Sequence, residues 1–170
     1  VSEASGGAFD VTIGRITRLW NIDSWALGTQ AGTFSVPEQS VLNEALTDAG
    51  YEKLSLQQTA KDGPVANTTQ PTGATVTLPE GMQLDLGAVG KGLALEQVHE
   101  LLKAQTELSA AVISAGGSIL TYGTKPDGSP WKVGVVNPDN TAQNIAVLAL
   151  EGEWYVATSG DYERYVEVDG

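Results

Sequence analysis

The sequence predicts an α+β fold, with helices packed on a mainly antiparallel sheet. Three observations carry that prediction. Segments 37–49 and 91–103 place apolar residues at helical spacing between start and stop signals. Five short β-rich runs, AAVIS, SILTYG, WKVGVV, NIAVLAL and WYVATS, follow the second of these helices. The clusters GG, PDGSP and NPDN break those runs, and that alternation suggests strands returning antiparallel.

Taken in order, residues 9–20 set Phe9, Ile13, Ile16, Leu19 and Trp20 at helical spacing, although Gly14 lowers helix preference by ~1 kcal/mol. Residues 21–34 are rich in Gly, Thr and Ser and read as loop. In the next helix Pro37 occupies the first turn, Val41, Leu42, Ala45, Leu46 and Ala49 share a face, and Gly50 lies past the end. From Tyr51 to Glu80 the chain turns to Thr, Gln, Pro and Gly with short β-rich pieces such as ATVTL. Lys91–Lys103 reads as a helix with Ala94, Leu95, Val98, Leu101 and Leu102 as its stripe. Mobile loops are expected near 24–35 and 57–73, and with no visible boundary, 1–170 is expected to be a single domain.

Composition bounds the function. A chain of 170 residues can bury a real core, and 41% hydrophobic against 18% charged residues marks it as globular. A formal net charge of -12 argues against nucleic-acid partners and anionic membrane surfaces, both of which reward basic clusters. The absence of cysteine excludes disulfides, thiolate catalysis and Cys-ligated metals. No apolar run approaches the ~20 residues of a membrane span. No signal peptide stands at Val1, the start VSEASGGAFD lacks Met, and VEVDG stops in a strand-like segment. The sequence is therefore expected to be part of a longer chain.

The densest stretch is LDLGAVGKGLALEQVHELL, residues 84–102. It fits neither the phosphate loop, since Gly87 precedes Gly90-Lys91 by three positions and Gly92 replaces Ser/Thr, nor G-x-G-x-x-G. The same physics is still available: glycines permit close backbone approach, a helix starting near Lys91 presents N–H groups, and Lys91 adds a charge. Asp85 is placed to accept from a ribose or base, or to cap the turn. A phosphate site and a plain structural turn both fit the spacing. His99, the single histidine, falls one position off the apolar stripe and is expected to be partly exposed; nothing else supports a Ser-His-Asp triad. Any metal would be hard and oxygen-bound, such as magnesium. Ser159-Gly160-Asp161 reads as a turn, with Tyr162, Tyr165 and Val166 packing onto the sheet, or as an anion-binding backbone. Gly116-Gly117 reads as a bend or bulge. Thr72-Gly73-Ala74-Thr75 resembles a flavinylation acceptor, but Thr69 stands where an acidic residue is expected, and a β-turn explains it equally.

Taken together, SGGAFDVTIGRITRLW, PEQSVLNEALTDAGY, LDLGAVGKGLALEQVHELL and ISAGGS with SPWKVGVVNP and ATSGDYERYVEVDG are similar in order and content to the ApbE-like family, the FAD:protein FMN transferases. The resemblance covers essentially all 170 residues, as the central part of a transferase domain with a T-fold-related core. It implies cleavage of the FAD pyrophosphate, attachment of FMN to a Thr or Ser hydroxyl of an acceptor flavoprotein, release of AMP, and a need for Mg2+. It places Ala8, Phe9 and Asp10 on flavin-contacting positions, Asp85 and Lys91 on other FAD contacts, Ser159 and Gly160 beside the ligand, and the Ala88 carbonyl on the metal. Glu96 replaces an Asp typical of the family, and Ser118 stands where an acidic or Asn residue often follows GG. A downstream His-containing segment with further metal ligands is missing, so this stretch by itself is expected to be inactive or very weak. The resemblance also implies an extracytoplasmic, lipid-anchored protein. A flavin-binding or FAD pyrophosphatase module and a surface interaction domain are the alternatives.

Overall fold

The computed structural model describes residues 1–58, 73–160 and 164–168. The chain groups into two compact units, Val1–Asp85 with Arg164–Gly170, and Leu86–Glu163. Among the described residues the strands pair antiparallel, in three small sheets in place of one, so the α+β expectation holds.

In the first unit α1 (Gly14–Trp20) and α2 (Ile22–Ala26) are separated by Asn21 in the left-handed region at φ 47°. Asn tolerates that conformation, and its N–H closes α1 on the Thr17 carbonyl. Two expectations are corrected here. The helix of 9–20 is confined to its second half, and the stretch read as loop contains α2. The cause of the first lies at Gly14. Its N–H donates to the Gln83 carbonyl at 2.9 Å, Ile13 bridges Gln83 in parallel, and Asp85 N–H donates to the Val11 carbonyl at 2.7 Å. Residues 11–14 are thus spent on a partner distant in sequence.

α3 (Gln39–Thr47) follows Pro37 as expected, and Ala45 on its inner face is buried. Lys53 Nζ donates to the Thr47 and Ala49 carbonyls, both at 2.7 Å, and so serves the end of α3 where the helix dipole favours a cation. Arg15 on α1 pairs with Glu44 at 2.8 Å and with Asp48, tying α1 to the α3 region. β1 (Ser55–Gln58) and β2 (Ala74–Thr77) pair with Leu56 opposite Val76. Thr72 and Thr69 of the acceptor-like motif, Asp161 and Tyr162 lie outside the described residues, as does most of 57–73. Tyr165, expected to pack on the sheet, is 53% exposed.

In the second unit α4 runs Gly87–Lys103, four residues longer at its start than expected. Gly87, Gly90 and Gly92 are helical residues, not a bend leading into the helix. The buried positions of α4 are Leu95 and His99, one turn apart. His99 is therefore buried rather than partly exposed, and Ala94 and Leu101 of the expected stripe are exposed. α4 packs on β4 and β3. β3 (Ala110–Ala115) and β4 (Ser118–Gly123) are joined by Gly116-Gly117, with φ of 54° and 86°. Two successive positive φ values make the tight two-residue hairpin turn that matches strand twist, so this is neither bend nor bulge.

β7 (Trp154–Val156) pairs with β4, and their junction is locked by Thr121. Its fully buried hydroxyl donates to the Gly152 carbonyl at 2.9 Å and accepts from Trp154 N–H at 3.1 Å. Beside it Leu120 is fully buried, and the two form the centre of the unit's core. β5 (Trp131–Asn137) and the eleven-residue β6 (Asn140–Leu150) form a hairpin with a register shift around Val136. Nearly all of β6 is exposed, including Ile145 at 64% and Val147 at 57%.

Candidate functional site

The second unit holds a cavity of about 360 Å³ built from three elements. The first turns of α4 supply Gly87, Ala88, Lys91 and Gly92, Ser118 stands at the start of β4, and the segment from Tyr155 to Ser159 closes the other side. Small residues at 87, 88 and 92 leave helix backbone at the cavity surface. The N-terminal end of α4, where the helix dipole is positive, borders the cavity through Gly87 and Ala88. Lys91 Nζ donates to the Gly116 carbonyl at 3.0 Å, which holds the ammonium beside the hairpin turn with donors to spare for an anion. The predicted residues Ala88, Lys91 and Ser159 are thus brought together, with Gly160 next in the chain. The earlier start of α4 changes one detail: the positive helix end lies at Gly87 and Ala88, and Lys91 reaches the cavity from one turn further along.

Sequence reading missed Tyr155, and its partners explain why His99 is buried. The Tyr155 hydroxyl donates to Glu96 Oε2 at 2.5 Å and lies 2.7 Å from His99 Nδ1. His99 Nε2 lies 3.0 Å from Glu153 Oε2. The imidazole also meets the rings of Tyr122 and Tyr155 edge-on, at centroid distances of 5.8 and 5.7 Å. Burial, then the Glu96 carboxylate and neighbouring negative charge, push the Tyr155 phenol up to about 12. That group therefore stays protonated. These partners lie 56 and 54 residues from His99, beyond the reach of helical periodicity.

The first unit carries the other predicted residues. Asp10 Oδ1 accepts from Thr12 N–H at 2.8 Å and the Thr12 hydroxyl at 2.7 Å, while Oδ2 accepts from Tyr51 N–H at 3.0 Å. The Thr12 oxygen in turn accepts from Gly50 N–H at 2.7 Å, and Thr12 is 2% exposed. Partial burial raises the Asp10 pKa, but the Thr12 hydroxyl, the two amides and the Lys53 charge outweigh it and hold the carboxyl below its ordinary value. Asp10 is thus a structural acceptor joining the 10–12 turn to the end of α3. Ala8 is exposed and Phe9 half-buried, in a turn closed by the Ser5 hydroxyl accepting from Phe9 N–H at 3.0 Å. Asp85 borders a separate recess of about 460 Å³ with Thr17, Arg18, Trp20, Asn21 and Asp23.

Magnesium prefers six oxygen ligands, commonly one or two carboxylates with waters and phosphate. Among the described residues no three acidic or imidazole groups converge on one point. Ala88 is the second residue of α4, so its carbonyl lies within the helical ladder, where the helix pattern gives it Gly92 N–H as donor. One lone pair of one carbonyl does not make a magnesium cage. The described residues therefore do not fit this metal on their own.

The ApbE family model matches residues 1–170. A FAD:protein FMN transferase from Treponema pallidum is 34% identical, covering 99% of this chain and 45% of its own length. One from Vibrio cholerae is 29% identical over 96% of this chain and 43% of its own. Among solved structures, the ApbE protein of Thermotoga maritima superposes with a TM-score of 0.72 at 30% identity, covering 99% of this chain and 48% of that one. The flavin transferase ApbE of Vibrio cholerae gives a TM-score of 0.65 at 27% identity, over 95% and 46%. The chain therefore spans somewhat less than half the length of these relatives. Matched by the family model from its first residue to its last, it belongs to the ApbE family.

Proposed function

We propose that this chain is part of an FAD:protein FMN transferase. One observation carries the reading: Ala88, Lys91 and Ser159 share one cavity, beside a glycine-lined helix start. That combination suits a diphosphate, since a helix N-terminus and an ammonium both neutralise phosphate charge and small residues admit it to the backbone. In the proposed reaction, the hydroxyl oxygen of an acceptor Thr or Ser attacks the phosphorus of the FMN half of FAD. The bond from that phosphorus to the bridging oxygen breaks, AMP leaves with that oxygen, and the hydroxyl proton is released. Lys91 and the α4 N-terminus would hold the diphosphate and offset charge on the departing group.

Magnesium enters this proposal through the family resemblance, and its ligands besides the Ala88 carbonyl would come from outside the described residues. The acceptor would be a flavoprotein with a Thr/Ser flavinylation motif. An extracytoplasmic, lipid-anchored setting is proposed on the same resemblance; among the described residues no helix is long and apolar enough to cross a membrane.

Titration calorimetry with FAD, with and without Mg2+, tests binding by the 170-residue chain, and chromatography of AMP tests turnover. Binding without turnover is expected here, with AMP release from a longer chain that includes the downstream segment. Full activity in the short chain would refute the expectation that it is incomplete. No FAD binding by either would refute the transferase reading. Free FMN in place of acceptor-bound FMN would mark a hydrolase.

A further inference from the structure

We propose that Tyr155 is a positioning residue, held by a hydrogen-bonded network of Glu96, His99 and Glu153, which fixes the Tyr155–Ser159 wall of the cavity against α4. The proposal rests on the flavin reading of that cavity and concerns residues the resemblance did not single out for a ligand.

Tyr155 is 45% exposed and borders the cavity, yet its hydroxyl is engaged on two sides. It leads directly into Val156, Ala157, Thr158 and Ser159, all cavity residues. Beyond β7, whose three residues end at Val156, the wall has no ladder of its own. The Tyr155 side chain ties it back to α4, the element that carries Lys91 and Gly92.

Three contacts hold the network together, Glu96 to Tyr155, Tyr155 to His99 and His99 to Glu153. The edge-on contacts of the imidazole with the Tyr122 and Tyr155 rings pack the same cluster between α4, β4 and β7. The phenol is thus held from two sides, and the wall that follows it is held with it.

His99 is the chain's single histidine, so its ring gives one clean set of NMR resonances. Tyr155→Phe, which keeps the ring and removes the hydroxyl, should weaken FAD binding about tenfold and move the imidazole resonances. Glu96→Ala alters an exposed helix residue, leaves folding intact, and should weaken binding about threefold. Wild-type FAD affinity in both variants with unmoved imidazole resonances would overturn the positioning role alone. Absence of FAD binding in the wild-type chain would overturn the flavin reading beneath it.

Discussion

Gly14 and Gly92 each stand in a helix, and their surroundings are opposite. A Cβ at Gly14 would come within 2.7 Å of the Gln83 carbonyl and of Leu84 backbone. A Cβ at Gly92 meets nothing within 4 Å, and the same is true at Gly90. The first glycine is demanded by a neighbouring segment of its own unit. The other two lower the helix preference of α4 by ~1 kcal/mol each with no packing reason among the described residues. Gly92 differs from Gly90 in bordering the cavity. Where the fold gives no reason for a glycine, the space it leaves open is the natural explanation.

Substitution can break this contrast. Gly14→Ala must push 83–84 away from α1 and should cost about 3 kcal/mol, a drop of roughly 10 °C in melting temperature by calorimetry. Asp10→Ala, which leaves the Thr12 and Tyr51 amides without their acceptor, should cost about 2 kcal/mol in urea unfolding. That change also has a pH signature. The folded carboxyl sits below its ordinary value, so its contribution is complete above the unfolded pKa and is lost as pH falls through the folded one. Acid unfolding of the variant should accordingly begin from a lower plateau and show a shallower limb. Gly92→Ala should raise stability by roughly 0.5–1 kcal/mol and weaken FAD binding, whereas Gly90→Ala should raise stability alone. Equal FAD affinity in the two would remove Gly92 from the site.

The sequence made local features legible and hid those made by distant partners. α3 was readable because Pro37, an apolar stripe and Gly50 all lie within one segment. The strands after α4 were readable because Gly116-Gly117, Asp127-Gly128 and 137–140 punctuate them. For α4 the end was clear and the start was not, since three glycines near a helix terminus look like a bend unless the helix is known to continue through them. The inner face of α4 was misjudged by one position because Tyr122, Glu153 and Tyr155 make a histidine welcome inside. α2, only five residues long, has too little periodicity to read. Of the residues bordering the cavity, Ala88, Lys91 and Ser159 are ones the family resemblance names, and Tyr155 is not, because its contacts depend on residues far away in the chain. The resemblance puts Asp10 on a flavin-contacting position, and in the structure its carboxylate accepts from Thr12 and from Tyr51 N–H.

The hairpin of β5 and β6 has a practical consequence. Among the described residues β6, eleven residues long, is bonded along one edge only, with Ile145 and Val147 exposed. A strand of that length presents a row of backbone donors and acceptors on which another strand can add, and its apolar side chains reward the addition. Ligand titrations on this chain are therefore best run dilute, with light scattering recorded beside the heat, so that self-association is not counted as binding.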